Sequence, residues 1–159
     1  EGKARYQKIA RSIAKVALDP KERPLFRGPR AREKTAAFLL VVSHHESHWR
    51  RHVDLGIGRR GRYWCMMQIA VDKGKTPEGW TGQDLIRSRE KCFRRALHIM
   101  QMAQGVCARK KAKDPFAFFN LYASGHCDRG RKEVAIRVKT FRRWQKRFPW
   151  PAESAKPKH

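Results

Sequence analysis

Acidic residues are scarce in this sequence. Its 159 residues include 14 Asp and Glu against 38 Lys and Arg, so the formal net charge is +24. A surface of this kind attracts polyanions, through contacts that weaken as salt rises. Nucleic acid, the anionic polymers of a bacterial cell wall and an anionic membrane face all satisfy that requirement, and charge alone does not separate them.

Long apolar runs and closely spaced cysteine pairs are also missing. No run approaches the roughly 18 apolar residues that a membrane span needs, so we expect no such span. The cysteines include no Cys-x-x-Cys pair, which argues against a zinc knuckle. No zinc finger, RNA-recognition signature or clear helix-turn-helix is readable, so specific nucleic-acid binding is not indicated. The positive charge alone is still compatible with a non-catalytic basic protein that binds nucleic acid, which we keep as the alternative to an enzyme.

The apolar content is sufficient for one core. Hydrophobic residues make up 40% of the sequence and aromatic residues 10%, and no linker divides the chain, so we expect a single domain. Apolar residues at helical spacing predict the main helices. These cover residues 3–17, 31–49, 88–108, 115–124 and 131–147.

Three local patterns refine this outline. Residues 36–42 are apolar on every side, as expected of a helix in the core. Residues 50–82 contain glycines and a proline at short intervals, which predicts loops with short strands. The pair Asp114-Pro115 predicts the start of a helix, with Asp114 as its N-cap.

Three short stretches, far apart in the sequence, carry the functional signal. They are Glu46-Ser47, Met66-Met67-Gln68-Ile69 and Leu121-Tyr122-Ala123-Ser124-Gly125. In this order and spacing they resemble the soluble lytic transglycosylase domain of the goose-type lysozyme-like superfamily. In that family Glu-Ser, Gly-Leu-Met-Gln-Ile and Ala-Tyr-Asn-Ala-Gly line a glycan-binding cleft. The resemblance spans roughly residues 31–145.

The resemblance implies a mainly α, lysozyme-like α+β fold. We expect a single domain of about five or six helices around a glycan-binding cleft, with the glycine-rich loops and short strands at 50–82. Within it, residues 1–30 form an N-terminal helix and loop packed on the domain. Residues 31–148 form the catalytic region, and residues 149–159 form a basic flexible tail.

The same resemblance assigns roles to individual residues. Glu46 matches the catalytic acid of the family. The substrate-binding positions are Ser47, Met67, Gln68, Tyr122 and Ser124. Three positions depart from the family pattern: Cys65 stands where the family usually has glycine, Met66 replaces leucine, and Ala123 replaces asparagine. The change at Ala123 is the one that affects hydrogen bonding, because it removes an amide from the expected cleft.

The implied reaction cleaves the β-1,4 bond between N-acetylmuramic acid and N-acetylglucosamine in peptidoglycan. In lytic transglycosylation the sugar's own 6-hydroxyl attacks, which gives 1,6-anhydro ends, and one glutamate acts first as acid and then as base. No cofactor is required. A lysozyme-type hydrolase acting on the same bond is the alternative. It would more often use a second carboxylate, for which Asp54 is the nearest downstream candidate.

Electrostatics works against Glu46 as an acid, because nearby cations favour the ionised carboxyl. Desolvation by the apolar helix, the methionines and Tyr122 has to outweigh that effect. The competing interpretation of Glu46 is a helix-terminal residue held in a salt bridge. His45-Glu46-Ser47-His48 is one residue short of the His-Glu-x-x-His zinc pattern, and Glu46 would point away from a metal shared by His44 and His48, so we expect no metal site.

The even number of cysteines predicts two disulfides rather than four free thiols. Cys92 and Cys107 lie about 22 Å apart on one predicted helix, which is too far to bond. Cys65 and Cys127 are their available partners. We prefer Cys65–Cys92 with Cys107–Cys127 over the crossed pairing.

Disulfides and the high positive charge together favour work outside the cytoplasm. We therefore expect a secreted, periplasmic or virion-associated enzyme. Its expected partners are peptidoglycan glycan strands, anionic cell-wall polymers that meet the basic surface, and virion or envelope proteins.

Overall fold

Most of the chain is helical in a computed structural model that describes residues 2–55, 62–128 and 132–147. The helices are α1 (Lys3–Ala17), α2 (Ala31–Ser47), α3 (Arg51–Asp54), α4 (Gly82–Arg87), α5 (Arg89–Arg109), α6 (Ala117–Ser124) and α7 (Lys132–Arg147). Strands β1 (Tyr63–Trp64) and β2 (Ile69–Ala70) pair antiparallel, and a 3₁₀ turn (Asp72–Gly74) follows. The prediction of a mainly helical domain with short strands between residues 50 and 82 is thus confirmed for the described residues.

The core is built around α2, as its apolar middle predicts. Helices α1 and α7 pack against α2, and α5 packs against α1 and α6. On α2, Phe38 is fully buried. Its ring contacts five other phenylalanines, namely Phe26, Phe116, Phe118, Phe119 and Phe141. Such aromatic contacts contribute large buried areas and hold the helices at fixed positions.

The N-terminal segment belongs to the same core. Ile9, Ile13 and Val16 of α1 and Leu25 of the following loop are buried with the α2 residues. No helix in the described ranges is both long enough and apolar enough to cross a membrane. The predicted tail at 149–159, and the glycines between residues 56 and 61, lie outside the described residues.

Two short helices, α3 and α4, were not predicted, so the described residues contain seven helices rather than five or six. Helix α4 begins with a capping box. The Thr81 hydroxyl accepts from the Asp84 amide at 3.2 Å, and the Asp84 carboxylate accepts from the Thr81 amide at 2.9 Å. This pattern satisfies two backbone donors at once and can start a helix despite glycine at the first position.

Helix α6 begins later than predicted. Asp114 is not its N-cap, because the carboxylate accepts a hydrogen bond from the Phe116 amide at 2.8 Å and closes a turn before the helix. Regular helix then starts at Ala117. Aspartate commonly forms such a local turn, which competes with capping.

Both expected disulfides are present in the structure. Cys65 is bonded to Cys92 and Cys107 to Cys127, with Cα–Cα distances of 6.2 and 5.5 Å. Cys92 lies near the beginning of α5 and Cys107 near its end. The two bonds therefore attach segments on either side of the molecule to one long helix.

Candidate active site

A cleft of about 620 Å³ lies between the end of α2, the β1–β2 turn, α6 and the first turns of α7. Each of the three sequence motifs contributes side chains to its wall. Glu46 comes from the first motif, Met67 and Gln68 from the second, and Tyr122 and Ala123 from the third. The fold thus brings together motif residues that are up to 77 positions apart in the chain, from Glu46 to Ala123.

Glu46 lies in the last turn of α2, which ends at Ser47 and is followed by a tight turn. His48 and Trp49 both have left-handed backbones, with φ of 49° and 53°. Two consecutive non-glycine residues in this region are costly and need local support. The Ser47 hydroxyl supplies part of that support by accepting from the Trp49 amide at 3.0 Å, while the Trp49 indole donates to the Ser43 hydroxyl at 3.0 Å.

The Glu46 carboxylate forms an ion pair with Arg137 of α7. Nη2 of Arg137 lies 2.9 Å from Oε1 of Glu46, and the two side chains are only 15% and 18% exposed. The guanidinium also lies over the ring of Phe119, 5.9 Å from its centroid. A pair so far removed from solvent is stronger than one on the open surface. The salt bridge considered as the competing interpretation of Glu46 therefore exists, and it lies inside the cleft.

Tyr122 joins the second motif to the third. Its hydroxyl donates to the Met67 carbonyl at 3.0 Å, and its ring stacks on Phe119 with the centroids 5.9 Å apart. Burial raises the pKa of the Tyr122 phenol well above its ordinary value, and the negative charge of Glu46 adds to this effect while Arg137 opposes it. The phenol therefore stays protonated and keeps its hydrogen bond to the turn.

The turn between β1 and β2 presents Gln68 to the cleft. Cys65 and Gln68 both have left-handed backbones, with φ of 55° and 51°. The Gln68 amide and its side-chain Nε2 both donate to the Cys65 carbonyl, at 3.0 and 3.1 Å. A left-handed backbone is the conformation that favours glycine, which is the residue of the resembled family at position 65. Within the described residues Oε1 of Gln68 accepts no hydrogen bond, so it can accept one from a ligand.

Two of the predicted substrate-binding residues, Ser47 and Ser124, do not line this cleft. Ser47 is 2% exposed, and its hydroxyl donates to the Ser43 carbonyl at 2.8 Å, so it supports the end of α2 instead. The Ser124 hydroxyl donates back to the Asn120 carbonyl within α6 at 2.7 Å.

Asp54, the expected second carboxylate, is also elsewhere. It is 6% exposed, and its Oδ2 lies 3.2 Å from both Arg5 and Arg89. These two cations hold it between α1 and the start of α5. Asp54 therefore pairs with arginines, as buried aspartates commonly do.

Two charged residues of the cleft were missed from the sequence, Glu133 and Arg137 of α7. Glu133 is exposed and, in the described part of the chain, has no ion-pair partner. The two residues are four apart, so they share one face of the helix, and this spacing is visible in the sequence. Nothing in the sequence indicates that this face of α7 turns toward Glu46.

The histidines at the end of α2 form a cluster of aromatic rings. The rings of His44 and His48 are 5.4 Å apart, and His44 also contacts Trp49 and Trp144. Burial lowers the pKa of His44, with a contribution from His48, and burial together with Arg137 lowers the pKa of His45. Among the described residues, no group of three or more His, Cys, Asp or Glu side chains is arranged to hold a metal ion.

Comparisons with known proteins do not assign this cleft. The catalytic interpretation therefore rests on the three motifs and on the geometry described above. No model of a known family matches the chain, and no match was found among curated proteins or solved structures.

Proposed function

We propose that the protein is a peptidoglycan lytic transglycosylase with Glu46 as its catalytic acid and base. One observation carries the proposal: members of three separate motifs line one cleft, in the combination that the resembled family uses to bind glycan. The left-handed backbone at Cys65 supports the alignment of the second motif, because the family has glycine there.

In the proposed reaction Glu46 donates its proton to the glycosidic oxygen, and the bond from C1 of N-acetylmuramic acid to that oxygen breaks. The 6-hydroxyl of the same sugar then attacks C1 and returns its proton to Glu46. The products are a 1,6-anhydro end and a free 4-hydroxyl, and no water is consumed. Gln68 and the Tyr122–Met67 contact support glycan placement on one wall.

Arg137 has opposite effects on the two steps of the proposed reaction. Its guanidinium stabilises the Glu46 carboxylate, which is the form that accepts the proton of the 6-hydroxyl. The first step needs the protonated form, which the same contact disfavours. We therefore expect activity to increase as the pH falls below neutral, where Glu46 takes up its proton more readily.

Replacing Glu46 by glutamine tests the proposal. Glu46→Gln keeps the size of the side chain but removes proton transfer, so digestion of purified peptidoglycan should fall by roughly 100-fold or more. Glu90→Gln is a matched control, because Glu90 lies on the surface in a pair with Lys15. Digestion by Glu46→Gln at the wild-type rate, with both variants folded, would rule the proposal out.

A lysozyme-type hydrolase is the second candidate, favoured by the Glu133 carboxylate in the same cleft. A hydrolase can use a second carboxylate to activate water, whereas transglycosylation does not need one. We expect Glu133→Gln to retain at least half of the wild-type activity and to give anhydro ends. Loss of activity in this variant, together with reducing ends from the wild-type protein, would favour the hydrolase.

We infer a place of action outside the cytoplasm. Two disulfides persist in an oxidising environment. Together with a substrate outside the cytoplasm, they support a secreted, periplasmic or virion-associated enzyme. The net charge of +24 supports docking on anionic wall polymers or envelope proteins.

A further inference from the structure

Helix α7 borders a second concave surface beside the cleft, which we call the basic groove. Its volume is about 1160 Å³, and its floor includes the buried residues Phe116 and Val138. Five exposed cations of α7 line it, namely Lys132, Lys139, Arg142, Arg143 and Lys146. Val134 borders both the basic groove and the cleft. A ligand that leaves the cleft past Val134 therefore enters the basic groove.

The described residues around the basic groove do not compensate its positive charge. Across the described ranges, none of the five cations has an ion-pair partner. The only acidic residue that the described wall contributes is Asp114, and its oxygens accept from the Phe116 amide at 2.8 Å and the Asn120 amide at 3.2 Å. Arg142 is already positioned, because its guanidinium lies over the Phe116 ring at 5.5 Å. The groove therefore favours a ligand with several negative charges.

The row of cations along the basic groove is long enough to contact a short peptide. Lys132 and Lys146 are fourteen residues apart on one helix, which corresponds to about 21 Å. An extended peptide of five residues spans at most about 17 Å. Ile136, which is 48% exposed, offers an apolar contact along the same wall. A short peptide with carboxylates and small apolar side chains fits both the length and the chemistry.

We propose that the basic groove binds the acidic peptide that peptidoglycan carries on its muramic acid residues, while the cleft holds the glycan. This inference rests on the proposed function, since it makes the peptide part of the substrate. An uncharged glycan strand alone gains little from five cations. A peptide attached next to the cleaved bond brings its carboxylates to the groove without a separate binding event.

The test uses two substrates, peptide-bearing glycan strands and the same strands after an amidase has removed the peptides. The triple variant Lys139→Gln, Arg142→Gln, Arg143→Gln should raise KM at least tenfold on peptide-bearing strands and leave KM on stripped strands unchanged. A control of equal charge change, Lys3→Gln, Lys8→Gln, Arg11→Gln on α1, should change neither. Equal effects on both substrates, or no effect on either, would overturn the inference.

A binding experiment separates this inference from the proposed function. The isolated acidic peptide, titrated into the full Glu46→Gln protein, should bind measurably. It should bind at least tenfold more weakly to a protein that carries the three groove substitutions in addition to Glu46→Gln. If the wild-type protein cleaves neither substrate, the proposed function is wrong. The binding measurement still tests whether the basic groove holds the peptide. No peptide binding, or binding only to a phosphate-rich polyanion through the same residues, would contradict the groove assignment.

Discussion

The pairing of Glu46 with Arg137 decides how the site can work. A 2.9 Å contact between two largely buried side chains keeps the carboxylate in one orientation toward the cleft. It also makes the protonated form harder to reach. Glu46 is therefore both a residue in a salt bridge and a candidate acid, and the two interpretations from the sequence are compatible.

Changing Arg137 should move the pH dependence of activity. In Arg137→Gln the positive charge of Arg137 no longer favours the Glu46 carboxylate. Glu46 should then take up a proton more easily, and the decline of kcat/KM with rising pH should shift to higher pH. Arg137→Lys retains the charge and is the matched control. The measurement is kcat/KM on peptidoglycan fragments from pH 4 to pH 9. A decline at the same pH in Arg137→Gln and in wild type would contradict Glu46 as the titrating acid.

The motifs predicted several residues of the cleft, but they also predicted Ser47 and Ser124, whose hydroxyls bond to carbonyls of their own helices instead. Glu46, Gln68 and Tyr122 were predicted from motifs, and all three line the cleft. Asp54 was proposed from nearness in sequence, but Arg5 and Arg89 hold it elsewhere, and nearness in sequence carries no information about these partners. Glu133 was missed because its position depends on which face of α7 packs against α2.

Among the elements, the β1–β2 turn is fixed by a disulfide at Cys65, the position where the resembled family has glycine. The Cys65–Cys92 disulfide attaches the turn to α5, three residues before Gln68. The Cys107–Cys127 disulfide attaches the end of α5 to the segment after α6. The two loops close over similar separations, 27 and 20 residues, so their entropic contributions are similar, about 3 to 4 kcal/mol each.

This similarity permits a controlled experiment. Replacing Cys65 and Cys92 by serine should lower kcat/KM per folded molecule several-fold more than replacing Cys107 and Cys127, because only the first bond fixes the turn that carries Gln68. Both variants should lose comparable stability in chemical denaturation. Equal activity per folded molecule in the two variants would show that the turn does not depend on its disulfide.

The long elements followed from apolar periodicity, and the short ones did not. Helices α1, α2, α5 and α7 begin and end within two residues of the predicted bounds. Helix α4 has only six residues and depends on the Thr81–Asp84 cap rather than on an apolar stripe. The start of α6 depends on whether Asp114 caps the helix or closes a turn, a choice between local hydrogen bonds of similar energy.

At the scale of the whole molecule, a charge network joins the N-terminal segment to the rest of the fold. The imidazole of His98 lies between Glu78 at 2.8 Å and Glu22 at 3.0 Å, and Arg95 lies 3.3 Å from Glu78. Burial opposes the charge on Glu78, but hydrogen bonding to His98 and the charge of Arg95 outweigh it and lower the pKa of Glu78 to about 2. Folding therefore favours the ionised form of Glu78.

Acid should therefore weaken the fold through this network. The contribution of Glu78 is complete above its ordinary pKa of 4.5 and is lost as the pH falls through about 2. Glu78→Gln should cost on the order of 2 kcal/mol in free energy of unfolding at pH 7, and much less at pH 2. Urea unfolding at both pH values measures this difference. The same cost at pH 2 and pH 7 would show that the loss is one of packing and not of charge.

The overall charge could be predicted without any structure, since it is a count, but its distribution could not. The five cations of the basic groove are spread over fifteen positions of α7, and only helix geometry and the floor of Phe116 and Val138 make them one surface. The sequence accordingly predicts a polyanionic partner but not the surface that would bind it.

We infer that Glu46 cleaves glycan strands by transferring a proton within the cleft. Mass spectrometry of purified peptidoglycan digested by the wild-type protein, with Glu46→Gln in parallel, identifies the products. We predict muropeptides with 1,6-anhydro ends from the wild-type protein and none from Glu46→Gln. An intact substrate with both proteins, or the same products from both, would contradict the claim.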